Sequence, residues 1–202
     1  MTESRNKSGP ESGFSRRSFL QGTGAIAAAT ALSAQVAAEE KQAAAVAAGS
    51  SEITVTVNGT KQKLKIENRE TLLDVLRNRL DLTGAKPVSS DGSSGASTVI
   101  VDGKPVMAST TMAVTCDGKS VQTVESLGGK NVDAVCKAFV ANDAQQCGFC
   151  TPGFVVAVRA FLDKNPDATE QQIRAGLNGN ICRCGTYVGI IGAAIDVVKG
   201  GA

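Results

Sequence analysis

From residue 53 the chain alternates, with Ile53, Val55 and Val57 on one side and Thr54 and Thr56 on the other, and a period of two predicts a β-strand. After Asn58-Gly59, Leu64 and Ile66 alternate with Lys63 and Lys65, so this segment reads as a β-hairpin closed by an Asn-Gly turn. Thr71-Leu72-Leu73-Asp74 carries a capping pattern and opens a helix whose apolar face is Leu72, Leu73, Leu76 and Leu80. A second strand pair, Thr98 to Val101 and Pro105 to Met107, flanks Asp102-Gly103, and Ser120 to Val124 supplies a fifth strand. Two hairpins and one helix make a β-grasp plan.

From Gly128 the period becomes helical. Val132, Val135 and Phe139 form one stripe, and Phe154, Val155, Val158, Phe161 and Leu162 form the next. Ile173 and Leu177, then Ile191, Ile195 and Val198, complete the series. Each stripe is most simply core, and four short helices enclose a site only if they pack together. The fold class is therefore α+β, a β-grasp domain followed by a four-helix domain.

The N-terminus reads as a targeting signal. Ser15-Arg16-Arg17-Ser18-Phe19-Leu20 is a twin-arginine motif, followed by an Ala/Gly-rich, weakly apolar run from Gly22 to about Ala34. That run is too short and alanine-rich for a membrane span, which needs roughly 20 apolar residues. The expected organisation is a signal peptide over 1–34, a flexible linker over 35–51, and domains over 52–127 and 128–202. Export would place the mature chain in the periplasm. Of 21 basic and 19 acidic residues, four and two lie in 1–34, which leaves 17 of each. A neutral mature chain without basic clusters interleaved with aromatics gives no support for nucleic-acid binding.

Histidine is absent, which excludes imidazole ligands and histidine acid–base catalysis, so metal chemistry falls to cysteine. Cys147-Gly148-Phe149-Cys150 is followed, after residues 151–181, by Cys182-Arg183-Cys184. Four cysteines are the ligand set of a 2Fe-2S cluster. Structural zinc uses the same number, but zinc modules usually repeat CxxC, and the tightened CxC leans toward iron and sulfide. Both pairs precede helix starts, where free amides and a partial positive charge would favour an anionic cluster, and Arg183 adds charge between two ligands. Cys116 and Cys136 lie outside this set and read as buried or idle thiols, with a disulfide between them after export as the alternative.

Gln146-Cys147-Gly148-Phe149-Cys150-Thr151-Pro152-Gly153, with Asn165-Pro166, Gly179-Asn180 and Cys182-Arg183-Cys184, resembles the small iron–sulfur subunit of molybdenum hydroxylases, the xanthine and aldehyde oxidase family. The resemblance runs from about residue 52 to the C-terminus. It implies a ferredoxin-like β-grasp domain, then a helical domain whose Cys147, Cys150, Cys182 and Cys184 bind a 2Fe-2S cluster. It also implies that Gln146 lies near the molybdopterin of a separate large subunit and that electrons come in at Cys184.

One departure stands out. Where the family carries four cysteines for a second, plant-type cluster, this chain has Ser89, Ser94, Ser97 and Ser109, inside a kept frame of Gly84, Lys86, Gly92, Gly95, Thr98-Val99 and Asp102-Gly103. A serine hydroxyl stays protonated and is a hard donor, whereas these clusters are held by thiolates. One cluster is therefore expected, with none at the serines.

The function implied is electron transfer. The large subunit would oxidise an aldehyde or N-heterocycle, and this chain would pass electrons through its single cluster to a flavin subunit or a cytochrome. No catalytic acid, base or nucleophile is assigned to it. The alternative readings are a non-redox structural adaptor, a zinc-binding module, and a free-standing ferredoxin.

Overall fold

The computed structural model describes residues 49–200. The expected signal peptide, and all but the last three residues of the expected linker, lie outside the described residues.

The Asn58-Gly59 turn forms as its chemistry demands. Asn58 and Gly59 both take positive φ, 49° and 81°, as a type I′ turn requires. It joins β1 (Ser50–Val57) to β2 (Thr60–Glu67) in antiparallel register, Val57 opposite Thr60. β1 thus starts two residues ahead of the expected domain edge. Ile53, Val55 and Val57 face inward and Lys61, Lys63 and Lys65 face solvent. Lysines along an edge strand also discourage edge-to-edge association.

α1 (Leu72–Asp74) opens with a full capping box: Thr71 accepts from the Asp74 amide, and Asp74 accepts from the Thr71 amide. The regular α-helix expected through Leu80 is not found, because after one turn the backbone widens into a π-helical segment, Val75–Arg79. Leu72, Leu73 and Leu76 are buried, but Leu80 is only half-buried.

β3 (Thr98–Val101) and β4 (Lys104–Met107) pair around Asp102-Gly103, and β5 (Ser120–Gln122) completes the sheet. The fifth strand is shorter than expected, since Val124 starts a 3₁₀ turn, Val124–Leu127. The strand order is β2-β1-β5-β3-β4, with β5 parallel to β1 and antiparallel to β3. Every residue of β3 is buried. Val99 and Val101 join the cluster over α1, while Ile100 points the other way, against Val156 and Ala160.

Val156 and Ala160 belong to α3 (Thr151–Leu162), which packs with α2 (Ala134–Ala141), α4 (Glu170–Gly176) and α5 (Tyr187–Val198). Their core centres on Val135, Phe139, Phe154, Val158, Ile173 and Ile190. Val132, expected in the α2 stripe, is 42% exposed, because Asp133 is the N-cap and Val132 lies ahead of the helix. Residues 49–200 belong to one compact unit in which the sheet and the helices share α3. No helix among the described residues is long and apolar enough to cross a membrane.

Candidate metal centre

Cys150 is the residue on which α3 starts, with Pro152 in the first turn, where a missing N–H leaves no unmet bond. The Cys182–Cys184 segment lies between α4 and α5. Two bonds to the serine loop shape its entrance: the Ile181 amide donates to the Ser94 carbonyl at 3.0 Å, and the Asn180 side chain donates to the Gly95 carbonyl at 2.9 Å. Two more fix its exit. The Cys182 amide donates to Tyr187 Oη at 2.9 Å, and the Tyr187 ring stands edge-on to Phe154, centroids 6.1 Å apart.

The loops bring Cys182 and Cys147 near enough to Cys150 for both to be felt at its thiol. Burial, the bond to Cys182 and the charges of Cys182 and Cys147 push the Cys150 thiol up to about 12. Burial also works against ionising Cys182. The Thr186 hydroxyl and amide, the Cys150 thiol and the Cys184 amide outweigh it and bring Cys182 down to about 7. Cys182 is therefore the readier of the two to ionise. Cys147 and Cys184 are exposed at the rim, and among the described residues no three His, Cys, Asp or Glu side chains stand together at metal-holding distance. Of the four expected ligands, Cys147 and Cys182 both act on the Cys150 thiol, and Cys184 stands exposed.

The surroundings suit an anionic, sulfur-bound group. The Thr186 hydroxyl lies 3.2 Å from the Cys182 sulfur, nearby amides favour its ionised form, and the buried Thr151 Oγ1, next to Cys150, is without a partner, a rare condition for a buried oxygen. An apolar cavity of about 240 Å³ beside Cys147 and Cys150 is walled by Val88, Phe149, Ile181 and Arg183. Gln146 is exposed, next to this face.

The four serines do gather, as two pairs. Ser89 Oγ and Ser94 Oγ are 2.7 Å apart, and the Ser94 amide donates to Ser89 Oγ at 3.0 Å. Ser97 Oγ donates to Ser109 Oγ at 3.0 Å, while the Ser109 amide donates back to Ser97 Oγ at 3.3 Å. Ser97 and Ser109 are buried, and Ser89 and Ser109 share the wall of a cavity of about 260 Å³ with Thr71 and Asp74. These are neutral oxygens satisfied by one another.

Cys116 and Cys136 are free. Cys116 is buried in the sheet-side cluster, and Cys136, on α2, packs against the helical core with its thiol 3.6 Å from the Leu127 carbonyl. Burial pushes both thiols up.

Residues 123–195 match the family described as the [2Fe-2S] binding domain, and residues 13–33 match the twin-arginine translocation pathway signal sequence. The nicotine 6-hydroxylase small subunit of Paenarthrobacter nicotinovorans is 41% identical over 72% of this chain and 88% of its own length. The chain belongs to the small iron–sulfur subunits of the molybdenum hydroxylases. A second such relative, the aldehyde oxidoreductase iron-sulfur-binding subunit of Escherichia coli (strain K12), is 36% identical over 85% of this chain and 84% of its own. Among solved structures, quinoline 2-oxidoreductase from Pseudomonas putida 86 superimposes with a TM-score of 0.72 at 36% identity, covering 75% of this chain and 96% of that one. As a member of this family the chain is an iron–sulfur subunit of an oxidoreductase, with a twin-arginine export signal.

Sequence reading missed three neighbours of the cysteines: Thr151, Thr186 and Tyr187. A signal for the last was present, since Tyr187 is the chain's only tyrosine and follows three residues after Cys184.

Proposed function

We propose that this subunit carries electrons through one 2Fe-2S cluster held by Cys147, Cys150, Cys182 and Cys184, as part of an exported enzyme that oxidises an aldehyde or an N-heterocycle. The observation that supports it most is the nearness of Cys150 and Cys182, each shifting the other's thiol, with the Thr186 hydroxyl 3.2 Å from the Cys182 sulfur, in a chain of this family. When bound, such a cluster accepts and releases single electrons. Tyr187 and Phe154 hold the Cys182 backbone, Asn180 and Ile181 anchor its loop, and Cys147 and Cys184 complete the ligand set from the rim.

The partner is a large molybdopterin-binding subunit, docking on the face that carries Gln146 and Cys184, and the acceptor is a flavin subunit or a periplasmic cytochrome. The serine site carries no cluster, because its hydroxyls bond each other and supply no thiolate. Residues 52–127 then act as a β-grasp scaffold for the cluster domain, 128–202.

The test is iron, acid-labile sulfide and zinc per chain, with an EPR spectrum after dithionite reduction. About two iron and two sulfide, with a single signal, are expected. About four of each would mean that the serine site still binds a cluster. Zinc without iron would favour a structural adaptor.

A further inference from the structure

Thr186 stands at the N-cap of α5 but does not cap it. The other threonine and aspartate N-caps of the α-helices behave differently: Thr71, Asp133 and Thr169 each accept from an amide of their own helix, while Cys150 at the start of α3, like Thr186, does not. The Thr186 hydroxyl instead lies 3.2 Å from Cys182 Sγ. The neighbouring Tyr187 fixes the Cys182 backbone at 2.9 Å, and the Thr186 and Cys184 amides favour the ionised form of the same sulfur. A helix start has been given up as a capping site and turned toward one thiolate.

We propose that Thr186 sets the reduction potential of the cluster, its hydroxyl donating to the Cys182 thiolate and moving the couple to a more positive value. The inference rests on the ligand reading above. A thiolate has no proton to give, so beside a ligated Cys182 the Thr186 oxygen can only be the donor. One-electron reduction adds one negative charge to the cluster. A donor aimed at a ligand sulfur stabilises that more negative state more than the oxidised one, which moves the potential upward. Of the donors on Cys182 Sγ, the hydroxyl is the one that a side-chain change removes while leaving the two amides in place.

The test uses the full cluster-loaded chain as wild type, Thr186→Val and Thr186→Ser, titrated with dithionite and mediators while the reduced EPR signal is followed. Thr186→Val should shift the midpoint to more negative values, and Thr186→Ser should stay with wild type. A merely structural role would show in melting temperature. Here Thr186→Val should melt with wild type, because no cap is lost. An unchanged midpoint in Thr186→Val overturns the proposal. Should the valine variant not take up iron, Thr186→Ala carries the same comparison. If both lose iron while Thr186→Ser keeps it, the proposal is overturned too, since the hydroxyl then holds the cluster and does not tune it. A wild-type chain without iron and sulfide would overturn the ligand reading itself, which separates that failure from the others.

Discussion

Asn180 reaches across 85 residues of chain to donate its side-chain amide to the Gly95 carbonyl at 2.9 Å. The same amide nitrogen lies 3.3 Å from Thr98 Oγ1, and the whole contact is buried. A buried polar side chain with two partners fixes where its segment can sit, so the loop that carries Cys182 takes its place from the serine loop.

Asn180→Ala should therefore remove a buried hydrogen bond that ties the two loops, at a cost of about 0.5–1.5 kcal/mol, the Gly95 carbonyl keeping the Thr98 amide and hydroxyl as donors. In a chain of this size that lowers the melting temperature by roughly 2–4 °C per kcal/mol. Thermal unfolding by circular dichroism reads the change. Iron content should fall with it, because the Cys182 loop loses an anchor.

Gly153 is a second contact between these parts. A Cβ there would stand 2.4 Å from the Gly95 carbonyl oxygen and 3.0 Å from Ala96 Cα, both backbone atoms. Gly153→Ala must push α3 away from the serine loop, at an overpacking cost of about 1–3 kcal/mol. A denaturant midpoint that fails to drop would show that the two loops are not in this contact.

The Ser97–Ser109 pair allows a double-mutant cycle. Ser97→Ala takes Ser97 Oγ away from both the Ser109 hydroxyl and the Ser109 amide, and Ser109→Ala leaves the Ser97 hydroxyl proton without its acceptor, while the double change removes both hydroxyls, so the double should cost less than the sum of the singles. The iron content of the double variant should match wild type. A loss of half the iron would place a cluster at the serines.

Cys147→Ser and Cys182→Ser should each abolish the reduced EPR signal and lower iron toward zero. Cys116→Ala should leave both unchanged. Burial holds the Cys116 thiol above its ordinary range, which depletes the reactive thiolate near neutral pH. Native protein should thus show slow Cys116 alkylation, becoming fast on unfolding, as a labelled peptide map would record.

What could be read beforehand was local. The Asn58-Gly59 hairpin and the Thr71 and Thr169 capping boxes depend on residues three or four apart, and helical spacing marks Phe154, Val158 and Ile173 as core. The two cysteine pairs stood out as a candidate metal site because thiol pairs at short spacing have few uses. The π-helical turn after Asp74 was hidden, since the leucine spacing fits an ordinary helix equally well. Val132 fell outside its helix because Asp133 takes the cap, a competition that hydrophobic periodicity does not see. The serine pairs, the Gly153–Gly95 approach and the Thr186–Cys182 bond depend on side-chain direction or on segments far apart in the chain, and periodicity carries no trace of them.

The bond from the Ile181 amide to the Ser94 carbonyl has a bearing on biogenesis. The backbone that presents Cys182 acquires its shape by leaning on a segment made nearly ninety residues earlier, so an incomplete β-grasp leaves the later cysteines without a template. Translation delivers the support before the thiols that need it. The serine loop gives this support through the Ser94 and Gly95 carbonyls, a part its side chains do not enter.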